Sequence, residues 1–126
     1  MLAYVKAVGD TNPAYPQSPE DVDGKLVPPS FAAVYALFAG SLSLASAGIE
    51  PTRLIHGGQE FSWTRALKLG ETVTAQGRIA DIYQKRNLQF VESEAVVTDE
   101  AGEEVCRSRA TILVLPDPKA TAEKSA

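Results

Sequence analysis

Two kinds of hydrophobic patterning divide the chain, with helix and loop signals before residue 54 and period-two alternation after it. "LAYVKAV", residues 2 to 8, predicts a short helix that Gly9 stops. Pro13, Pro16, Pro19, Pro28 and Pro29 then forbid regular structure over residues 10 to 30. Inside that loop "SPEDVDG" predicts one helical turn, with Ser18 as its cap, Pro19 at its first position and Glu20 and Asp21 as first-turn acids. A long helix is expected from Pro29 or Ser30 to Gly48.

The second half predicts strands. "LIHGGQEFSWTRAL" is a broken alternating run in which Gly57 and Gly58 suggest a bulge or a close backbone approach. After a turn at "KLGET", Val73, Ala75, Gly77 and Ile79 alternate with Thr72, Thr74, Gln76 and Arg78. A turn near Lys85 to Asn87 leads to a strand with Val91, Ser93, Ala95 and Val97 on one face. "DEAGEE" is a hairpin signal. The last strand sets Cys106, Ser108, Ala110, Ile112 and Val114 against Arg107, Arg109, Thr111 and Leu113. Residues 116 to 126 lack packing material and are expected to be a disordered polar tail, leaving 1 to 115 as one domain. Three or four long antiparallel strands with a small-residue inner face suit a sheet curved around one thick object. The apolar helix is the only such object, so the fold class is α+β.

Residues 31 to 49 carry no charge over nineteen positions, close to a membrane-spanning length. Ala, Ser and Gly exceed half of them and no close basic or Trp anchors flank them, so a helix buried on all sides is expected instead of a span. A formal net charge of −4, with twelve scattered basic residues, argues against nucleic acid as a partner. One cysteine, Cys106, excludes an internal disulfide and fits a reducing, cytoplasmic setting. With the single histidine, His56, far from it in sequence, no metal site or cofactor is expected.

"YVKAVGDTNPAY", "LVPPSF", "IHGGQEFSWTRALKLGETVTAQGRIADIY" and "TDEAGEEVCRSRATILV" together resemble the MaoC-like dehydratase family. The resemblance is closest to the branch holding accessory subunits of (3R)-hydroxyacyl-ACP dehydratases, and it covers the chain up to Leu115. It implies a hot-dog fold, a sheet wrapped around one helix, and side-by-side pairing of two such units as a homodimer or a heterodimer. It also implies (R)-specific hydration or dehydration of acyl-CoA or acyl-ACP thioesters, and a first strand ahead of the motif, where only eight residues precede Gly9 here. The family pattern is GDxNPxH, whose acid and imidazole hold one water so that one group takes a proton while another delivers one. Asp10, Asn12 and Pro13 match, but Tyr15 stands in the imidazole's place. A phenol with an ordinary pKa near 10 is a poor base at neutral pH, though it donates hydrogen bonds. Active relatives open the central helix with His-Gly; here the opening is Ser30-Phe31, where free N–H groups remain but a bulky ring narrows the approach.

Each residue also has a plain structural reading. Asp10 and Asn12 are good turn formers, Tyr15 is a packable aromatic, and Cys106 suits a buried inert thiol. His56 is the only imidazole available for chemistry, yet it lies in a strand where a subunit contact is as reasonable. Gln59, Glu60 and Trp63 are expected to face a neighbouring chain, because an unpaired sheet edge invites one. Three functions stay open: an acyl-thioester-binding subunit without its own imidazole, whose tunnel is lined by Ala36, Ala39 and Gly40; an autonomous hydratase using Asp10 with Tyr15 or His56; and a thioesterase-like or structural oligomer.

Overall fold

The computed structural model describes residues 1–116; all of the expected tail beyond Pro116 lies outside them. Helix α1, Leu2–Val8, buries Val5 and ends at Gly9, whose φ of 70° allows its N–H to return to the Lys6 and Val5 carbonyls. The turn expected at Ser18 is not a helical one. Asp21 N–H donates to the Ser18 carbonyl at 3.1 Å, but it is the Asp21 carboxylate that caps, accepting from Gln17 N–H at 3.2 Å. Lys25 holds that carboxylate at 3.1 Å, and a second turn follows in which Lys25 N–H donates to the Val22 carbonyl at 3.3 Å.

Pro29–Phe31 form one 3-10 turn that leads into α2, Ala32–Ser46, and Gly48 at φ 76° ends it close to the expected boundary. Four antiparallel strands follow: β1 Leu54–Trp63, β2 Thr74–Lys85, β3 Leu88–Thr98 and β4 Glu104–Val114, in the order β1-β4-β3-β2. The β1–β4 register slips between His56 and Gly58, so the glycine pair is the bulge its sequence suggests. A second slip, between Ile79 and Asp81 in β2, has no glycine to announce it. Arg86 and Asn87 join β2 to β3 with φ of 54° and 65°, the two positive values a tight primed hairpin turn requires. At the β3–β4 turn one Asp99 oxygen accepts from Ala101 and Glu103 N–H groups, both at 3.0 Å.

The inner face is the expected one. Val91, Ser93, Ala95 and Val97 of β3 and Cys106, Ser108, Ala110, Ile112 and Val114 of β4 are all buried. One core cluster joins Ala32, Ala36 and Ala39 to Val97, Val105 and Cys106; a second joins Leu44 to Val91, Ile112 and Val114. The helix presses hard on β2: a Cβ at Gly77 would lie 2.1 Å from the Ala39 carbonyl oxygen. Small residues at this contact let helix and sheet approach closely, the arrangement anticipated from the sequence.

The expectation that α2 is buried on all sides is corrected. It packs on β2, β3 and β4, which cover only one side of a helix. Val34, Phe38 and Leu42, spaced by four on the opposite side, are exposed, Phe38 at 68%. Pro29–Ser46 is long and apolar enough to cross a membrane by length and composition, but here its small residues dock on the sheet.

The outer face of the sheet carries ions. Glu94, only 6% exposed, accepts from Arg78 and Arg107 at 3.1 Å each. Glu92 accepts from Thr111 at 2.9 Å and Tyr83 at 2.9 Å, with Arg109 at 3.5 Å.

Candidate functional site

Gly9 turns the chain out of α1 and delivers Asp10 to the start of the motif. One Asp10 oxygen accepts from Asn12 N–H at 2.9 Å, and Asn12 Oδ1 in turn accepts from Ala14 N–H at 2.9 Å. Two successive side-chain-to-backbone turns therefore shape "GDTNPAY". Tyr15 N–H closes the turn on the Asn12 carbonyl at 3.1 Å. The amide of Gln17 then reaches back to three motif carbonyls, those of Asp10 (3.3 Å), Asn12 (3.0 Å) and Tyr15 (3.3 Å). Lys25 donates to the Pro13 carbonyl, and Leu26 N–H to that of Ala14 at 2.8 Å. The turn is thus over-determined by side-chain and backbone bonds together. The second Asp10 oxygen and the hydroxyl of half-buried Tyr15 have no hydrogen-bond partner among the described residues.

Helix α1 also reaches the opening of the central helix. Tyr4 donates to Ser30 Oγ at 2.7 Å, and its ring meets Phe31 edge-on with centroids 4.9 Å apart. Phe31 lies 6.1 Å from Tyr35 in turn. Ser30 and Phe31 are therefore engaged with α1, in an aromatic cluster at the helix opening.

His56 is elsewhere. It is exposed on β1, opposite Ile112, and its Nε2 lies 3.0 Å from Gln59 Oε1. Among the described residues no hydrogen bond joins it to Asp10 or Tyr15. Ala36 and Ala39 are buried against the sheet, and a Cβ at Gly40 would lie 3.0 Å from Ser93 Oγ. Of the three, the structure places each at the helix–sheet contact. Glu60 pairs with Arg109 in register, and Trp63 is partly exposed at the end of β1 with Phe61 5.6 Å away.

An apolar pocket of about 290 Å³ opens beside the start of the central helix, lined by Val27, Pro28, Pro29, Tyr35, Trp63 and Leu67 among others. Burial pushes the Tyr35 phenol up to about 12, with the nearby Cys106 adding to the effect. Burial likewise raises the Cys106 thiol, which keeps it protonated and inert. At the rim Arg65 grips Glu71 with two bonds, 3.0 and 2.9 Å, and Asp99 with one at 3.1 Å. Arg65 is the main cause that holds Glu71 below its ordinary value; for Asp99 the Glu103 N–H comes first and Arg65 second. Among the described residues no three His, Cys, Asp or Glu side chains gather as metal ligands would.

Sequence reasoning missed Gln17, Tyr4 and this pocket. A lone glutamine in a proline-rich loop carries no pattern signal, and Tyr4 reads simply as one helical aromatic. The pocket is assembled from three separate segments, so no local stretch of sequence encodes it.

The family model for the FAS1-like dehydratase domain region matches residues 2–108. A UPF0336 protein of Streptomyces avermitilis is 30% identical over 109 residues, 81% of this chain and 72% of that one. Among solved structures, the C-terminally truncated HadBC (3R-hydroxyacyl-ACP dehydratase) complex of Mycobacterium tuberculosis superposes with a TM-score of 0.70 at 19% identity, over 88% of this chain and 82% of that one. A MaoC-like dehydratase superposes with a TM-score of 0.76 at 19% identity, over 95% of this chain and 39% of that one. The superpositions establish the hot-dog fold.

Proposed function

The chain belongs to the FAS1-like dehydratase region family, and from that premise we propose that it is an acyl-thioester-binding subunit of an (R)-specific enoyl-thioester hydratase or 3-hydroxyacyl-thioester dehydratase. In this reading it pairs with a second hot-dog chain that carries a complete acid–imidazole site. The observation that carries it is the state of the motif turn. Asp10 and Asn12 spend hydrogen-bonding capacity on their own backbone, Tyr15 holds the imidazole position, and the only histidine is bonded to Gln59 instead. Acid–base chemistry on a water needs two convergent groups within hydrogen-bond reach. Here one is present, and its second oxygen can still orient a ligand.

A partner chain is favoured by surface physics. The outer edge of β1 is an end of the sheet, with unpaired backbone groups that another strand would satisfy. The uncovered Val34, Phe38 and Leu42 face adds apolar surface that water solvates poorly. The similar HadBC protein is itself a complex of two kinds of chain.

Ala36, Ala39 and Gly40 would serve the acyl chain indirectly, by fixing the helix on the sheet; Ser30 and Phe31 would border the thioester, and the 290 Å³ apolar pocket beside them is where an acyl chain would fit. The test is affinity purification of the tagged chain from its own cells, followed by assay of the isolated complex on an enoyl-CoA. The expected result is a second hot-dog chain with an intact Asp and His, and hydration by the pair. A homo-oligomer that hydrates the substrate unaided would overturn the subunit reading in favour of an autonomous enzyme.

A further inference from the structure

The bulge in β1 places His56 and Gln59 on the same side of the strand, opposite Ile112 and Ala110 of the inner face. The Gln59 side chain makes three contacts there. Its Nε2 lies 2.7 Å from Ser108 Oγ and 3.3 Å from the Glu60 carbonyl, and its Oε1 lies 3.0 Å from His56 Nε2. These distances fix the direction of every bond. A backbone carbonyl only accepts, so the amide NH₂ must face Glu60 and Ser108. That leaves the amide oxygen for His56, and an amide oxygen also only accepts. His56 Nε2 must then carry the proton, and in the neutral ring Nδ1 keeps the lone pair. Nδ1 has no partner among the described residues, on an exposed ring.

We propose that Gln59 is a positioning residue: anchored by the buried Ser108 and the Glu60 carbonyl, it holds His56 in the Nε2–H tautomer and presents Nδ1 as a hydrogen-bond acceptor. The donor it fits is the hydroxyl of a 3-hydroxyacyl chain. That choice of donor rests on the dehydratase reading; the tautomer does not. Without Gln59 an exposed imidazole samples many rotamers and both tautomers. With it, the ring offers one nitrogen in one direction, which is what recognition of a single hydroxyl needs.

The histidine is unique, so its ring can be followed without ambiguity in the ¹⁵N-labelled full chain by long-range ¹H–¹⁵N NMR. The native chain is expected to show the Nε2–H tautomer, with that proton exchanging on the order of fivefold to tenfold more slowly than in Gln59→Met, as a net hydrogen bond provides. Methionine keeps the length of the side chain and removes both polar atoms. Gln59→Glu, which keeps an acceptor oxygen for Nε2–H but loses the donor to the Glu60 carbonyl, is expected to fall between the two. An Nδ1–H tautomer in the native chain, or equal protection in Gln59→Met, would overturn the inference whatever the activity of the chain. The correct tautomer with no Nδ1 response to added 3-hydroxybutyryl-CoA would overturn the choice of donor instead.

Discussion

Gly77→Ala tests the helix–sheet contact on which the whole fold depends. A Cβ built there lies 2.1 Å from the carbonyl oxygen of Ala39, 2.6 Å from its carbon and 3.0 Å from Gly40 N. All three are backbone atoms, so no side-chain rotation relieves the clash, and helix or strand must move by about 1 Å to reach ordinary contact distance. Overpacking typically costs about 1–3 kcal/mol, and a backbone obstacle puts this case at the upper end, about 3 kcal/mol. Because β2 is an edge strand, relief would come from its lifting away, which uncovers half-buried Ala75 and Ile79. For a domain of this size that corresponds to a fall in Tm of roughly 10–15 °C. Urea and thermal unfolding followed by circular dichroism, at one fixed protein concentration, measure it. Gly40→Ala is the matched control. Its Cβ would meet only Ser93 Oγ, at 3.0 Å, a hydroxyl that can rotate aside. Replacing a helical glycine by alanine gains up to about 1 kcal/mol, so little net loss is expected. A Gly77→Ala protein within about 0.5 kcal/mol of the parent, small against the overpacking range, would refute the claim that the helix is held this close.

Other consequences concern charge and the motif. Glu71 and Asp99 have carboxyls held below their ordinary 4.5 and 3.8, so the stability they lend is complete above those values and is lost as pH falls through the depressed ones. Arg65→Met should therefore be less stable than the parent at neutral pH, and the gap between the two should close as acidification passes through those depressed values, as urea midpoints across pH would show. Tyr35 is raised from 10 to about 12, so its contribution is intact below 10 and declines as pH rises towards 12. Spectrophotometric titration of the four tyrosines should lose its phenol near 12 in Tyr35→Phe, and that variant should lack this part of the alkaline destabilisation. Tyr15→His, which restores the imidazole of the motif, should give at most weak hydratase activity, because Ser30 and Phe31 remain tied to Tyr4 at the helix opening. Full activity in that single variant would show that the opening is no obstacle.

What the sequence revealed was mostly what alternation and turn chemistry encode locally. The inner faces of β3 and β4 could be read residue by residue, because period-two burial has one solution when small and apolar residues alternate with charges. The bulge at Gly57 and the turn at Asn87 were legible for the same local reason. The partial exposure of α2 was not, since Val34, Phe38 and Leu42 are as apolar as the side that docks and nothing in a uniformly apolar helix says which side the sheet covers. The ions on the outer face escaped notice because Glu94 meets Arg78 and Arg107 only across strand registers. At the candidate site, the motif was recognisable from "GDTNPAY", while the role of Gln17 depends on how a proline-rich loop folds back over it. Gln59 read as an interface residue; its contact with Ser108 spans 49 positions and is visible only in three dimensions.

The subunit reading is tested most directly by hydration of crotonyl-CoA with the purified chain alone, followed through loss of the conjugated enoyl absorbance, beside an Asp10→Ala control. Folded chain with no turnover, indistinguishable from the control, is the predicted result. Turnover that disappears in Asp10→Ala would contradict the account, since it would make the motif turn a working acid–base site without an imidazole at Tyr15.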